Sequence, residues 1–409
     1  MNTRTARDTR STTCDTSSHP ARPTLRDVSA DVSVDVSADV SADVSADVSA
    51  DVGVDTWRDS ARPTVRDVRA DRDRPTLRDV SADRVPDSTR LRAVQASDTD
   101  LDCLLRRHQG RILRPTQFLR PDEAPRPGME PVWISPLADK RYELLVTDAL
   151  TREDLVGGVL VRFAADLAYF EVRIDDTADL TATTEAAYSR IFQVTQHLAA
   201  YRLLRLWNYV PCILRGADDQ ERYRLFNAGR FAAWQQHGPK DDQGDPLYPA
   251  ATGIGAHGGP LVIQVLLTRQ RVDYVQNYRQ VPSACYSRKF GVRPPVFARG
   301  SLRRGGDFSD LIVSGTASIV GEETAHTCMR AQSAETVRNL QALLSRKNLG
   351  GTSFSLLGFH SVRAYVKHPE DLPEAQFELE RHISPEHIIY LLDDICRPGL
   401  LLEVEGIAA

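Results

Sequence analysis

From residue 130 onward, apolar positions recur in two rhythms. YELLVTDAL, DLVGGVLVRFA and AYFEVRI carry short apolar runs rich in β-branched and aromatic residues, and they predict strands. EAAYSRIFQVTQHLAAYRLL, residues 185 to 204, has apolar residues at three-to-four spacing and predicts a helix. RLWNYVP follows as a strand ended by Pro211. DDQERYRLFNAGRFAAWQQHG predicts a second helix, with Asp218 or Asp219 as its cap. GPKDDQGDP, 238 to 246, is rich in turn residues and is the candidate domain boundary.

The second half repeats this grammar. LVIQVLLT, RVDYVQNY and DLIVSGTASIV predict strands, and SAETVRNLQALLSRK a helix at 333 to 347, whose terminal Lys and Arg suit the helix dipole. GTSFSLLGFHSVRAYVKH predicts one long strand or a strand pair, EDLPEAQFELERHI a helix, HIIYLLDDI a strand and LLLEVEG the last strand. The expected fold is α+β, two halves that each join a sheet to one or two long helices.

The first quarter is different material. Residues 27 to 55 repeat a four-residue unit close to DVSA, and a longer unit recurs as RPTLRDVSAD, RPTVRDVRAD and RPTLRDVSAD. Asp, Ser and Val are poor helix formers, and one Val in four buries too little to offset chain entropy. Residues 1 to 98 are therefore expected to be a disordered, low-complexity tail. A partner-binding repeat is the alternative, although solenoid units need ~20 residues each. The expected domains are 1–98, 99–245 and 246–409.

Composition narrows the function. Charged residues make up 26% of the 409 residues and the net charge is -5, which gives no bulk argument for nucleic acid. Six cysteines without a C-x-x-C pair suggest reduced thiols in a cytoplasm. MNTRTARDTR has no apolar signal region, and no run of 18 apolar residues predicts a membrane span. His257, His326 and His360 lack ligand spacing, so no metal is expected. GIGAHGG and GTASIVG read as glycine-rich turns, but neither fits a nucleotide-binding fingerprint, and no cofactor is expected. The number of subunits is left open.

The oddest segment is DDICRPGLLLEVEG, 393 to 406. Strand alternation puts Leu400, Leu402 and Val404 on one face and Leu401, Glu403 and Glu405 on the other. Spacing leaves two readings of Glu403 open: a wet strand face, or a cleft where poor solvation raises its pKa and makes it a general acid. Cys396, seven residues earlier, is either a small apolar filler or a thiol tuned by its neighbour Arg397. Cys328 and Glu335 share the seven-residue spacing, but Glu335 would open a helix, where the dipole favours the carboxylate. Arg363 shares a strand face with Ser361 and Tyr365. ERYRLFNAGR holds Arg222, Arg224, Arg230 and Tyr223, and PPVFARG holds Arg299. Two or more of these arginines could fork onto a small dicarboxylate; singly, each is an ordinary surface arginine.

In order along the chain, WNYVP, ERYRLFNAGR, PAATGIG, SGTASIVG with AQSAETVRNL, and DICRPGLLLEVEG resemble the chorismatases over residues 125 to 407. The C-terminal half also looks like the RidA (YjgF) fold, and on that likeness Arg363 and Glu403 take the positions of its site arginine and glutamate. The resemblance implies a chorismate-cleaving enzyme that releases pyruvate. Glu403 would protonate the enolpyruvyl methylene, Arg363 would hold a carboxylate, and Arg299, Arg230 and Tyr223 would complete the site. It also implies a split by product. A hydrolytic branch forms a trans-dihydrodiol acid; an aromatising branch forms 3-hydroxybenzoate through an arene-oxide route; a third branch also makes 4-hydroxybenzoate. Position 396 resembles alanine in the hydrolytic branch and cysteine in the aromatising one, so Cys396 implies 3-hydroxybenzoate. Gly315 would be a second small position shaping the pocket. Asn227, Glu322 and the loose CYSRKFG segment depart from the family pattern at the rim. A RidA-like metabolite-binding or imine-deaminating protein is the competing expectation.

Overall fold

The computed structural model describes residues 88–409. The repeat units expected to be disordered lie outside the described residues. The described chain opens with β1 (Leu91–Ala96), α1 (Leu101–Arg107), β2 (Ile112–Phe118), β3 (Glu130–Val132) and β4 (Ser135–Pro136). It continues through β5 (Tyr142–Thr147), β6 (Arg152–Val156), β7 (Val159–Ala164), β8 (Leu167–Ile174), α2 (Leu180–His197), β9 (Arg202–Pro211) and α3 (Arg222–His237). The next strands are β10 (Ala250–Ala256), β11 (Leu261–Thr268), β12 (Arg271–Val275), β13 (Gly300–Arg304), β14 (Ser309–Ala317), β15 (Ile319–Val320) and β16 (Glu323–Thr324). Last come α4 (Met329–Leu344), α5 (Arg346–Leu349), β17 (Phe359–Val366), α6 (Leu372–Leu379), β18 (Ile388–Leu392) and β19 (Leu402–Ala408).

The α+β expectation holds, with two large sheets. One runs β10-β9-β11-β8-β7-β6, the other β12-β13-β14-β19-β17-β18-β4; a smaller sheet runs β1-β5-β2-β3. Helices α2 and α3 cover one face of the six-stranded sheet, around Tyr188, Phe192, Phe226 and Trp234. Helices α4 and α6 cover one face of the seven-stranded sheet, around Leu340, Leu343, Ala375 and Leu379. The two inner faces meet in a shared core that includes Trp207, Tyr209, Ile312, Tyr365 and Ile407. Among the described residues no helix is long and apolar enough to cross a membrane.

Two expected boundaries move. Strand β1 falls inside the segment assigned to the tail, yet it pairs along its whole length with β5 and buries Leu91, Ala93 and Ala96. The 238–246 segment is a turn, as its composition requires, but the sheets do not part there. Strand β10 pairs in parallel with β9. A parallel pair needs a crossover, and α3 with the turn is that crossover. Strand β11 then inserts between β9 and β8. The six-stranded sheet therefore runs past residue 245, and β4 reaches the other way to pair with β18.

Local differences have local causes. Helix α2 starts five residues before the expected 185, because the Asp179 carboxylate accepts from the Ala182 N–H at 3.0 Å and caps it. It stops at His197, and the following leucines alternate into β9. Helix α3 starts at Arg222 without a side-chain cap; Asp218–Gln220 form a single tight turn before it. Helix α4 begins at Met329, not 333. GIGAHGG is not a turn through its first residues: they complete β10.

Candidate functional site

Three hydroxyl contacts join the edge strand β10 to the second sheet. Ala250 N donates to Ser301 Oγ at 2.8 Å, Ala251 N to Ser314 Oγ at 3.0 Å, and Gly315 N to Thr252 Oγ1 at 3.0 Å. Strand β14 is irregular here: its register against β19 shifts between Val313 and Thr316. The result is a gap beside β10, roofed by the start of α3 and by the 283–299 segment. It forms a cavity of about 290 Å³.

The cavity gathers six of the seven residues expected from sequence: Tyr223 and Arg230 from α3, Arg299 just before β13, Gly315 from β14, Cys396, and Glu403 from β19. Phe226, Tyr286, Phe290 and Phe297 supply aromatic wall. Thr252, Tyr286 and Arg397 were not singled out from the sequence as cavity residues. Thr252 lies within the PAATGIG motif, but nothing in its spacing indicates that β10 is an edge strand.

Glu403 is only 4% exposed. Burial raises its pKa, and the nearby Glu405 charge adds to this; Arg205 and Arg299 oppose it, and the result is about 8. The group is an uncharged carboxylic acid at neutral pH. Cys396 Sγ lies 3.8 Å from Glu403 Oε2 and donates to it. Burial, then the Glu403 charge, pushes the Cys396 thiol up to about 12, against weaker pulls from Arg397 and Arg299. Arg397 does pull toward the thiolate, but burial outweighs it, and Cys396 is a neutral thiol. The Arg397 guanidinium stacks 3.8 Å over the Phe290 ring and donates to the Glu322 carbonyl at 2.7 Å.

Gly315 is required by close approach. A Cβ on it would come within 2.7 Å of Glu403 Cδ and closer still to Oε1. The carboxyl of Glu403 therefore rests on the bare backbone of β14.

Arg230 and Arg299 are 3% and 2% exposed. Arg230 Nε and Nη2, and Arg299 Nε, have no hydrogen-bond partner among the described residues. Arg230 sits 5.4 Å from the Tyr188 ring centre and 5.6 Å from that of Trp234; Arg299 sits 4.9 Å from that of Phe297. Arg299 Nη2 also donates to Tyr286 Oη. Buried N–H donors left open in a cavity are costly unless a ligand satisfies them.

Arg363 is elsewhere. Its guanidinium is enclosed by Glu143, which it pairs through Nε at 3.1 Å and through Nη2, by Tyr209 Oη at 2.6 Å, and by Glu405 Oε1 at 3.2 Å. Arg114 also pairs Glu143, and Arg205 pairs Glu405. Arg363 thus belongs to a buried ion-pair chain between the sheets, and it does not line the cavity. Alternation predicted its face with Ser361 and Tyr365 correctly, but not that Glu143 would occupy it. Glu335 is also structural: burial raises its pKa, but Arg338 and Arg279 hold it below the usual carboxylate range. Among the described residues no cluster of three or more His, Cys, Asp or Glu is placed to hold a metal.

Fold and cavity together define an α+β protein with two large sheets and a cavity lined by a buried carboxyl and two buried guanidiniums. The chain matches the chorismatase FkbO/Hyg5-like N-terminal family over residues 143–267. It is 32% identical over 293 residues to a 3-hydroxybenzoate synthase from Streptomyces hygroscopicus, covering 69% of this chain and 85% of that protein. It is 34% identical over 264 residues to a chorismatase from Streptomyces rapamycinicus, covering 62% of this chain and 77% of that one. The fold superposes on a crystal structure of a chorismatase with a TM-score of 0.69 at 26% identity, covering 79% of this chain and 99% of that one. This protein belongs to the chorismatase family.

Proposed function

We propose that this protein cleaves chorismate to pyruvate and 3-hydroxybenzoate, with Glu403 as the proton donor. The observation that carries the reading is a buried, protonated carboxyl in the same cavity as two guanidiniums with open donors. Chorismate has two carboxylates, which match Arg230 and Arg299. Glu403 delivers its proton to the enolpyruvyl methylene carbon, and the neighbouring carbon becomes oxocarbenium-like. A low-dielectric cavity keeps Glu403 in the acid form until the substrate arrives.

Two outcomes then diverge. In the hydrolytic one, a water adds and a dihydrodiol acid forms. In the aromatising one, no water adds. The C4 hydroxyl oxygen attacks C3 as the ring–ether bond breaks, its proton returns to the Glu403 carboxylate, and pyruvate leaves with the ether oxygen. The arene oxide then opens at C4 and loses the C3 proton to become 3-hydroxybenzoate, so the two products contain all the atoms of chorismate. Cys396 supports the second outcome, as does the name of the 3-hydroxybenzoate synthase relative. As a neutral thiol bonded to Glu403, it fills the space beside the donor with a group larger than alanine's methyl.

The test is purified protein with chorismate, following pyruvate and separating the aromatic acids by chromatography. Pyruvate in step with 3-hydroxybenzoate is expected. No pyruvate above background sinks the enzyme assignment, and a dihydrodiol acid as the main product sinks the branch.

A further inference from the structure

Glu405 is two residues beyond Glu403 on the same strand face, 2% exposed, and outside the cavity. Its carboxylate is fully occupied. Oε1 accepts from Tyr365 Oη at 3.0 Å and from Arg363 Nη1 at 3.2 Å. Oε2 accepts from Arg205 Nη2 and from Thr252 Oγ1. Thr252 has spent its only hydroxyl hydrogen on Glu405, so its oxygen is free to accept. It accepts from Arg205 Nη2 and, at 3.0 Å, from Gly315 N–H. Gly315 is the residue whose backbone leaves room for the Glu403 carboxyl. An unbroken set of contacts therefore runs from Glu405 through Thr252 to the seat of Glu403.

We propose that Glu405 is a positioning residue: through Thr252 it fixes the Gly315 backbone against which the Glu403 carboxyl rests. The inference depends on the proposed role of Glu403 and adds to it. A buried carboxylate with four donors needs them placed accurately to offset its desolvation, so the arrangement is stiff. That stiffness passes to the irregular stretch of β14, which has lost its ladder pairing to β19 at this point. Glu405 also acts through its charge. Around Glu403 stand Tyr223 from α3, Arg205 from β9, Arg299 before β13, and Cys396 and Arg397 from the preceding loop. Glu405 is the anion in that set and favours the protonated donor.

Two substitutions separate this from a merely structural role. Thr252→Val removes the hydroxyl and keeps the volume; Thr252→Ser restores the hydroxyl. With chorismate as substrate, Thr252→Val is expected to lower kcat about tenfold with KM nearly unchanged, and Thr252→Ser to recover it. Glu405→Gln is expected to move the alkaline limb of the pH profile to lower pH by about one unit. The second readout needs no turnover. In protein carrying 13C-labelled glutamate carboxyls, the Glu403 signal is identified by its loss in Glu403→Gln, and its midpoint falls in Glu405→Gln. If Glu405→Gln does not fold, the Thr252 pair decides. Wild-type kcat and an unmoved Glu403 titration in both Thr252→Val and Glu405→Gln overturn the proposal. A moved titration in a protein that releases no pyruvate supports the positioning and overturns the chorismate reading.

Discussion

Cys396 Sγ stands 3.8 Å from Glu403 Oε2, in a cavity where both groups carry their protons at neutral pH. The thiol is a donor to the carboxyl and a wall of the space beside it. Cys396→Ala should therefore keep turnover while shifting the product mixture away from 3-hydroxybenzoate. Chromatography of the acids checks this; an unchanged mixture removes Cys396 from product choice.

Glu403→Gln keeps the size of the side chain and removes the acidic proton. Pyruvate release should fall roughly 10³-fold, within the span for loss of a general acid. Substrate binding, followed by quenching of nearby tyrosine and tryptophan fluorescence, should persist.

The pH dependence follows from the same group. Glu403 is active as the acid, with a pKa raised to about 8. kcat/KM should be flat below that pH and fall about tenfold per unit above it. A bound dianion raises the pKa further, so the limb in kcat should lie at higher pH. Stability has the matching sign. Between about 4.5, the ordinary glutamate value, and about 8, folded Glu403 holds a proton that the unfolded chain has released, so stability declines as pH rises through that window. Urea titrations at pH 5, 7 and 9 would show it; a rise in stability from 7 to 9 would contradict it.

Gly315→Ala places a methyl where the Glu403 carboxyl lies. The carboxyl must move by about an ångström, and a displacement of that size typically costs about 10² in kcat. A wild-type rate in this variant would mean that Glu403 works from a different rotamer.

Arg363→Leu strands Glu143 and Glu405 without one of their partners. Breaking a buried pair in this way should lower unfolding free energy by about 3–5 kcal/mol. If the variant is stable enough to assay, its KM for chorismate should be close to wild type, because Arg363 does not line the cavity. A large rise in KM would return Arg363 to the binding site.

Much of the fold was legible because it rests on local pattern. Apolar runs and three-to-four spacing located the long helices α2, α3 and α4 and most long strands after residue 130, but not β1, α1, β2, β10 or β13. What the pattern could not carry was which strand lies beside which. β9 and the segment of β10 fall in different expected halves, because a turn-rich segment separates them and the glycines of β10 read as a turn, yet parallel pairing makes the two strands neighbours. For the site, Cys396, Glu403 and Arg299 were marked by unusual residue types in apolar runs or by motif. Arg363 was marked in the same way and proved different, because an arginine on a buried strand face can serve a ligand or an ion pair. The choice was made by Glu143, 220 residues away in the chain. Glu405 has no local signal of its role for the same reason: its partners Arg205 and Thr252 come from the other sheet.

The cavity takes Arg230 from a helix lying on the six-stranded sheet and Arg299 from the segment feeding the seven-stranded one. A dicarboxylate held by both would act as a rivet through two plates. Its binding energy would appear as resistance of both sheets to separation. Melting temperature of the slow variant Glu403→Gln should therefore climb with chorismate concentration along its binding curve, and pyruvate or 3-hydroxybenzoate, with one carboxylate each, should protect less.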